Sequence, residues 1–461
     1  MDKQVKWSSQ FGFLMAAIGS AVGLGNLWAF PYKLGKNGGF AFLLIYIMIV
    51  IILGFTITLS ELAIGRKAGK AVYEAWLSVS SKYRIFGFFG FLAPLLIIFF
   101  YSMLGGYCLK YLITNINFLF SANNNFDSVS YFTSFYTNQF ESSLYTFIFI
   151  MLSVIIVMFG VVKGIERFSK WAMPMLFVML LILIIYALSL KNAKEALIFL
   201  FKPDFSLFKG SGFIKVFAAA AGQAFFSLSL GMGITITYGS YLKRKVSLPF
   251  NALVICLADT LIAILAAIAI MPAVFSFNID PNQGPGLLFV SLQSVFHSLG
   301  TLGHGLGIIF YFLVFIAAIT SAIALLETII AVIKEYLESK KRKISRFLIS
   351  FIISIIIIIG GILVSMDGLG ANGFMQILRQ NSWLDTLDLI AEGILMPISA
   401  LAIAIIFAWI KPHYLIKEIK HGSKFKWQGF YHFSLKYLAP LITIMVLYGQ
   451  LVNFGIIKSF F

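Results

Sequence analysis

Two short runs set glycine among small polar residues inside long apolar stretches. They are Gly19-Ser20-Ala21-Val22-Gly23-Leu24-Gly25-Asn26 and Phe226-Ser227-Leu228-Ser229-Leu230-Gly231-Met232-Gly233. Each glycine costs a helix roughly 1 kcal/mol relative to alanine, so both runs make poor continuous helix. Small residues also let helices pack closely, and either run alone reads equally well as packing. Where a helix opens at membrane depth, its freed carbonyls can ligate a hard cation, and half-helix N-termini can hold a carboxylate. Other polar side chains lie deep in apolar stretches: Thr320 and Ser321 after Ala317, Asp259, Glu61 and Tyr101. Hydroxyls in membrane helices usually bond their own backbone. An intramembrane carboxylate is expensive and needs a partner, and for Asp259 a cation held by opened carbonyls would serve. No catalytic set accompanies these groups. The five histidines, His297, His304, His413, His421 and His432, lie at loops or helix ends with spacings that match no metal motif. Cys108 and Cys256 sit in separate apolar segments, which gives no redox or metal motif and makes a disulfide unexpected.

The elements that must position these residues are membrane helices. The 461 residues are 60% hydrophobic and 11% charged, with mean hydropathy +0.95. Soluble chains run at roughly 45–50% apolar and about 25% charged, so composition excludes a soluble domain, a disordered chain and a disulfide scaffold. Apolar runs between charged breaks predict eleven spans, over roughly 8–34, 40–65, 85–117, 142–160, 167–189, 213–241, 248–276, 303–337, 345–365, 383–410 and 430–455. The first is not a signal peptide, because it continues through Gly25, Asn26 and Pro31 with no clean cleavage site. The net charge of +17 comes from Lys and Arg scattered between spans. That pattern is the positive-inside bias, and no nucleic-acid partner is expected. With the N-terminus cytoplasmic, Arg66 to Arg84, Lys163 to Lys170, Lys243 to Lys245, Lys340 to Lys343 and Lys411 to Lys436 fall inside, and eleven spans put Phe461 outside. Of the outside loops, 118–141 is Asn/Ser/Phe-rich. Residues 277–302 hold Pro281, Gly284, Pro285 and Gly286, then an amphipathic stretch to Leu299, read as a lid-like loop with a short helix dipping back.

The two glycine-rich runs lie in spans one and six. Five spans per half makes the second half inverted, and interrupted helices at corresponding positions of inverted repeats point to a transporter's binding site. The expected architecture is an all-α membrane protein. Residues 1–190 form the first repeat, 191–411 the inverted second repeat, and 412–461 an additional helix.

At these residues the sequence resembles the bacterial branch of the neurotransmitter:sodium symporter family. Trp7 to Phe40, with GSAVGLGN and FPYKLGKNGG, is similar to that family's first helix and following loop. SELAIGR at Ser60–Arg66 resembles its second helix, GQAFFSLSLGMG at Gly222–Gly233 its sixth, and AAITSAIALLE at Ala317–Glu327 its eighth. The resemblance spans roughly residues 5–455. It implies two sodium sites and no organic cofactor. One site would use the carbonyls of Gly19, Val22 and Ala317 with the hydroxyls of Thr320 and Ser321. The other would use the Ala21 carbonyl, Asn26, Ser227, Asp259 and the carboxylate of an amino-acid substrate. A shared carboxylate makes ion and substrate binding mutually favourable. Tyr101 and the N–H groups of Leu24 and Gly25 would hold that carboxylate, and carbonyls of Ala21, Phe226, Ser227 and Ser229 the amino group. The resemblance places Ile97, Tyr101, Phe226, Ser229, Met232, Ser321 and Leu325 around the substrate side chain. An apolar lining without fixed charge favours neutral hydrophobic L-amino acids, with Tyr, Trp, Phe and Leu above Ala and Gly. Met232 between two glycines adds an adaptable wall.

The sequence departs from the family pattern at both gates. Ala29 stands where many members carry an outer-gate arginine, so Asp388 is expected to lose its ion pair, leaving Phe226 and Tyr101 to close the site. Gln4 stands at the inner-gate arginine, with Lys3 and Lys6 as stand-ins for pairing with Glu335. Asp259 stands where chloride-dependent relatives have asparagine, so chloride independence is expected. Gly164 and Pro174 have the spacing at which bacterial relatives are thought to unwind the fifth helix. An ordinary proline kink is the plainer reading. Competing classes are a channel, which would need a continuous polar pore, a membrane enzyme, and a non-transporting amino-acid sensor on the same fold. A symporter for small neutral amino acids is the nearest alternative. A sodium-coupled symporter in the cell's inner (plasma) membrane is the leading expectation.

Overall fold

The computed structural model describes residues 5–120, 126–208, 212–277, 286–342, 344–422 and 424–458. Helices joined by turns and irregular segments make up the described residues, with no strand among them. The apolar runs set the helix lengths, because in lipid every backbone N–H and C=O must be satisfied within its own segment.

Nine helices among the described residues are long and apolar enough to cross a membrane. Two shorter helices precede them. α1 (Gln10–Ala21) and α2 (Gly25–Lys36) meet at a 52° bend and make a tenth span if taken together. α3 (Phe40–Ala68), α4 (Ser81–Phe120), α5 (Gln139–Met158) and α6 (Val161–Leu188) follow. α7 (Gly212–Ser227) and α8 (Ile234–Ser240) are separate short helices where the sequence predicts one span over 213–241. Then come α9 (Leu248–Ser276), a short α10 (Leu287–Ser298), α11 (Gly300–Ser339), α12 (Arg346–Gly370), α13 (Trp383–Ile410) and α14 (Gln428–Asn453). α11 forms the centre, with 83% of its most apolar window buried. α14 lies at the edge, with 28%.

Two features differ from the sequence reading. The 118–141 segment is not simply loop: a helix runs from Ser128 to Thr137, and Asp127 caps it. The Ser130 hydroxyl and the N–H groups of Ser130 and Val129 donate to the Asp127 carboxylate, holding it below the usual carboxylate range. Residues 161–174 are helical, a π-turn over Val161–Glu166 running into α6 with Pro174 inside the helix, so no unwound stretch is seen between Gly164 and Pro174. Pro281, Gly284 and Pro285 of the lid-like loop, and Lys3 and Gln4 at the inner end, lie outside the described residues. α10 follows that loop and turns Phe289 and Phe296 onto Tyr111, Phe132 and Tyr311.

Candidate functional site

The breaks in α1–α2 and α7–α8 meet at the middle of the bundle, and their local chemistry explains why each helix stops. After Ala21, Val22 adopts an extended conformation with ψ 104°. The N–H of Gly23 then bonds the Asn26 side-chain oxygen at 3.1 Å, and the N–H of Leu24 bonds the Tyr101 hydroxyl at 3.3 Å. In the other break Ser229, Gly231 and Gly233 all have positive φ, at 53°, 78° and 80°. For Ser229 the left-handed region costs roughly 1–2 kcal/mol. Gly231 is required twice over, because a Cβ there would also run into the Met396 carbonyl. The buried Glu61 carboxylate accepts from the Gly231 N–H at 3.1 Å and so braces the break from α3.

Asn26, Ser227 and Asp259 come into direct contact. The Asn26 amide donates to Asp259 Oδ1 at 2.7 Å and to Ser227 Oγ at 2.9 Å, and Ser227 Oγ lies 2.9 Å from Asp259 Oδ2. Tyr46, which the sequence reading did not single out, donates to the same carboxylate at 3.2 Å. Asp259 is wholly buried, and no Lys or Arg stands among these hydrogen-bond partners.

A second oxygen cluster lies where the first break faces α11. Ser321 Oγ is 3.4 Å from the carbonyl oxygens of both Gly19 and Val22. Thr320 Oγ1 bonds the Ala317 carbonyl at 2.9 Å, and a Cβ on Gly19 would meet Thr320 Cβ at 3.1 Å. All five expected ligand residues of this cluster are therefore neighbours. A hard cation held at about 2.4 Å, within calcium's range, has ligand oxygens roughly 3.4 Å apart at right angles. The Ser321 spacings match that figure, and the Thr320–Ala317 bond is also the backbone bond expected of an ordinary membrane hydroxyl.

Between the breaks is a cavity of about 30 Å³. Of the residues expected around a substrate, Ala21, Gly25, Ile97, Tyr101, Phe226, Ser227, Ser229, Met232, Ser321 and Leu325 line it. Leu24 does not, and reaches it only through its N–H on Tyr101. Ser20, Gly23 and Ile234 line it too and were missed. Gly23 was legible as part of the glycine run, but a lone isoleucine carries no sequence signal. Gln223 was also missed: its amide donates to the Gly25 carbonyl at 2.9 Å and ties α7 to the start of α2. A cavity of this volume holds about two waters, so an amino-acid side chain needs Phe226, Met232 or Leu325 to move.

Both gates differ from the sequence expectation. Asp388 is not left without a basic neighbour, because Lys33, one turn beyond Ala29, stands within electrostatic reach of Asp388 and Glu392. Lys6 does not pair with Glu335. Its ammonium donates to the Ser240 carbonyl at 2.9 Å, and Glu335 accepts the Ala71 N–H at 2.8 Å.

Paired helix breaks that meet at a buried carboxylate, an oxygen cluster and a cavity define a membrane transporter. The chain belongs to the Sodium:neurotransmitter symporter family, whose sequence model matches residues 4–130 and 133–459. It is 35% identical to the uncharacterised sodium-dependent transporter YhdH of Bacillus subtilis, over 96% of this chain and 97% of that one. It is 26% identical to the sodium-dependent neutral amino acid transporter B(0)AT2 of Bos taurus, over 60% of this chain and 41% of that one. Among solved structures, MhsT in complex with L-phenylalanine superposes with TM-score 0.86 and 38% identity, covering 97% of this chain and 99% of that one.

Proposed function

We propose that this protein is a sodium-coupled, chloride-independent symporter that imports neutral hydrophobic or aromatic L-amino acids by alternating access. The observation that carries the reading is the contact of Asn26 and Ser227 with the buried Asp259 beside the cavity. A carboxylate bonded only to neutral donors is completed by a cation, and the adjoining cavity offers that cation the substrate's own carboxylate. The family, the name of B(0)AT2 and the phenylalanine in MhsT all support amino-acid symport.

In this reading the Gly19, Val22, Ala317, Thr320 and Ser321 oxygens hold one sodium ion. Ala21, Asn26, Ser227, Asp259 and the substrate carboxylate hold the other. α1–α2 and α7–α8 are the broken spans of two inverted five-helix repeats in an eleven-span bundle. The N-terminus is cytoplasmic and the C-terminus outside, in the cell's inner membrane. Transport moves substrate and sodium without chemical change, so the protein is not an enzyme. A second reading, transport of small neutral amino acids, is favoured by the cavity volume of about 30 Å³.

The test is uptake of labelled leucine into proteoliposomes with an inward sodium gradient. Accumulation that collapses when choline replaces sodium supports symport. Equal binding in choline and sodium buffers overturns it, as does binding without accumulation, which would indicate a sensor.

A further inference from the structure

The inner half of α1 is fastened to the start of α6 by one carboxylate outside the ion cluster and the cavity. Glu166 is 1% exposed. Its oxygens accept the Ser8 N–H at 2.9 Å, the Ser9 hydroxyl at 3.0 Å and the Ser8 hydroxyl, and they face the Lys170 ammonium at 2.7 Å. Ser9 also caps α1, its hydroxyl oxygen accepting from the Gly12 N–H at 3.0 Å. Any Cβ on Gly12 would collide with the Glu166 side chain, so the carboxylate occupies space that only glycine leaves. The far end of the same contact reaches the ions' side of the helix. A Cβ on Gly19 would stand 3.1 Å from the Met173 sulfur on α6 and 3.1 Å from Thr320 Cβ on α11. Gly12, Ala16 and Gly19 are spaced i, i+4 and i+7, so one face of α1 lies along α6 from Glu166 to Met173.

We propose that Glu166 is a positioning residue for transport. Its carboxylate latches the inner half of α1 onto α6, and the oxygen cluster at Gly19, Val22, Thr320 and Ser321 is complete only while that latch is made. The inference rests on the symporter reading, in which that cluster binds sodium. Three neutral donors from Ser8 and Ser9, together with Lys170 of α6 itself, hold the carboxylate in place, and α1 cannot swing from α6 without breaking the three serine contacts at once. Sodium bound between α1 and α11 and the latch between α1 and α6 therefore favour the same arrangement of α1, and by linkage each strengthens the other.

The test uses the full-length chain in detergent micelles. Cys108 and Cys256 are replaced by serine, and Ala16→Cys, 2% exposed in the closed arrangement, serves as the reporter. Glu166→Gln should raise the rate of labelling by a bulky thiol reagent in saturating sodium by about tenfold and weaken sodium affinity by about the same factor. The ranking of competing amino acids should not change. Glu166→Asp should recover part of both effects, whereas a general loss of packing would not be rescued by restoring the charge. Ser8→Ala, which removes one donor, should shift both readouts in the same direction by less, and it gives the answer if Glu166→Gln does not fold. Labelling rate and sodium affinity unchanged in Glu166→Gln and Ser8→Ala would overturn the latch. A wild-type chain with no sodium-dependent binding at all would instead overturn the symporter reading, so the two failures are distinct.

Discussion

The Asn26 side-chain amide donates to Asp259 Oδ1 at 2.7 Å, joining the end of the first break to the middle of α9. A hydrogen bond to a buried charged group is worth about 1.5–3 kcal/mol. Asn26→Leu should therefore weaken sodium affinity at least tenfold, read from sodium titrations of substrate binding. In the proposed symporter Asp259 supplies the negative charge that balances the cation, and in that reading wild-type transport should be unchanged when gluconate replaces chloride, and Asp259→Asn should transport poorly. Full transport by Asp259→Asn in chloride-free buffer would show that Asp259 is not the charge compensator.

The glycine runs and Asp259 were legible because each is costly where it stands, whereas Thr320 and Ser321 were legible through the resemblance of AAITSAIALLE to the family's eighth helix. Glycine weakens a helix and a carboxylate resists burial, so their presence in apolar runs demands a reason. Ile234 is an ordinary apolar residue, and Tyr46 and Gln223 are uncharged side chains that stood out less than a buried carboxylate, although the fold brings all three to the site. The eleven spans were read from length and hydropathy, yet the break at 228–233 divides the sixth into pieces too short to score as a span. Lys33 and Glu166 were not legible as partners of Asp388 and Ser8, because these contacts join residues more than 150 positions apart.

Close approach at Gly23 gives a second prediction. A Cβ there would stand 2.5 Å from Ser321 Oγ and 2.6 Å from the Tyr101 hydroxyl. Overpacking of this kind costs about 1–3 kcal/mol, and here it would displace one expected sodium ligand and one expected substrate contact together. Gly23→Ala should lower both sodium and substrate affinity, about tenfold or more. Gly305→Ala, where a Cβ meets nothing within 4 Å, should bind as wild type does. Wild-type affinities in Gly23→Ala would contradict the placement of Tyr101 and Ser321 at the site.

Lys33 supplies the third. It is partly exposed and faces Asp388 and Glu392, with Asp385 adding a like charge near Asp388. A partly exposed charge interaction is worth up to about 1 kcal/mol and is partly screened by salt. Lys33→Met should weaken substrate binding by up to about fivefold at low ionic strength, with the difference shrinking at high salt. Identical half-saturation in wild type and Lys33→Met at low ionic strength would remove Lys33 from the outer closure.

The fourth prediction concerns substrate size and follows from the cavity walls. Ile97, Phe226, Met232 and Leu325 are apolar, and among the described residues no Lys, Arg, Asp or Glu lines the cavity to pair a charged side chain. Burying an unpaired charge costs several kcal/mol, so Lys, Arg, Asp and Glu should compete poorly. Among neutral substrates, each buried methylene contributes about 0.8 kcal/mol. The three extra carbons of leucine over alanine then amount to about 2.4 kcal/mol, roughly fiftyfold in affinity, if the walls open enough to bury them. The present volume of about 30 Å³ does not bury them. Met232 is the wall best suited to yield, since an unbranched thioether adapts its shape at little cost. It follows Gly231 and precedes Gly233, both held at positive φ by the break. In competition against labelled leucine, the order should run Trp, Tyr, Phe and Leu ahead of Ala and Gly. Met232→Val, stiffer at χ1, should cut the aromatic competitors more than alanine. If glycine or alanine outcompetes tryptophan and tyrosine in the unsubstituted chain, the walls do not open and the protein carries small neutral amino acids.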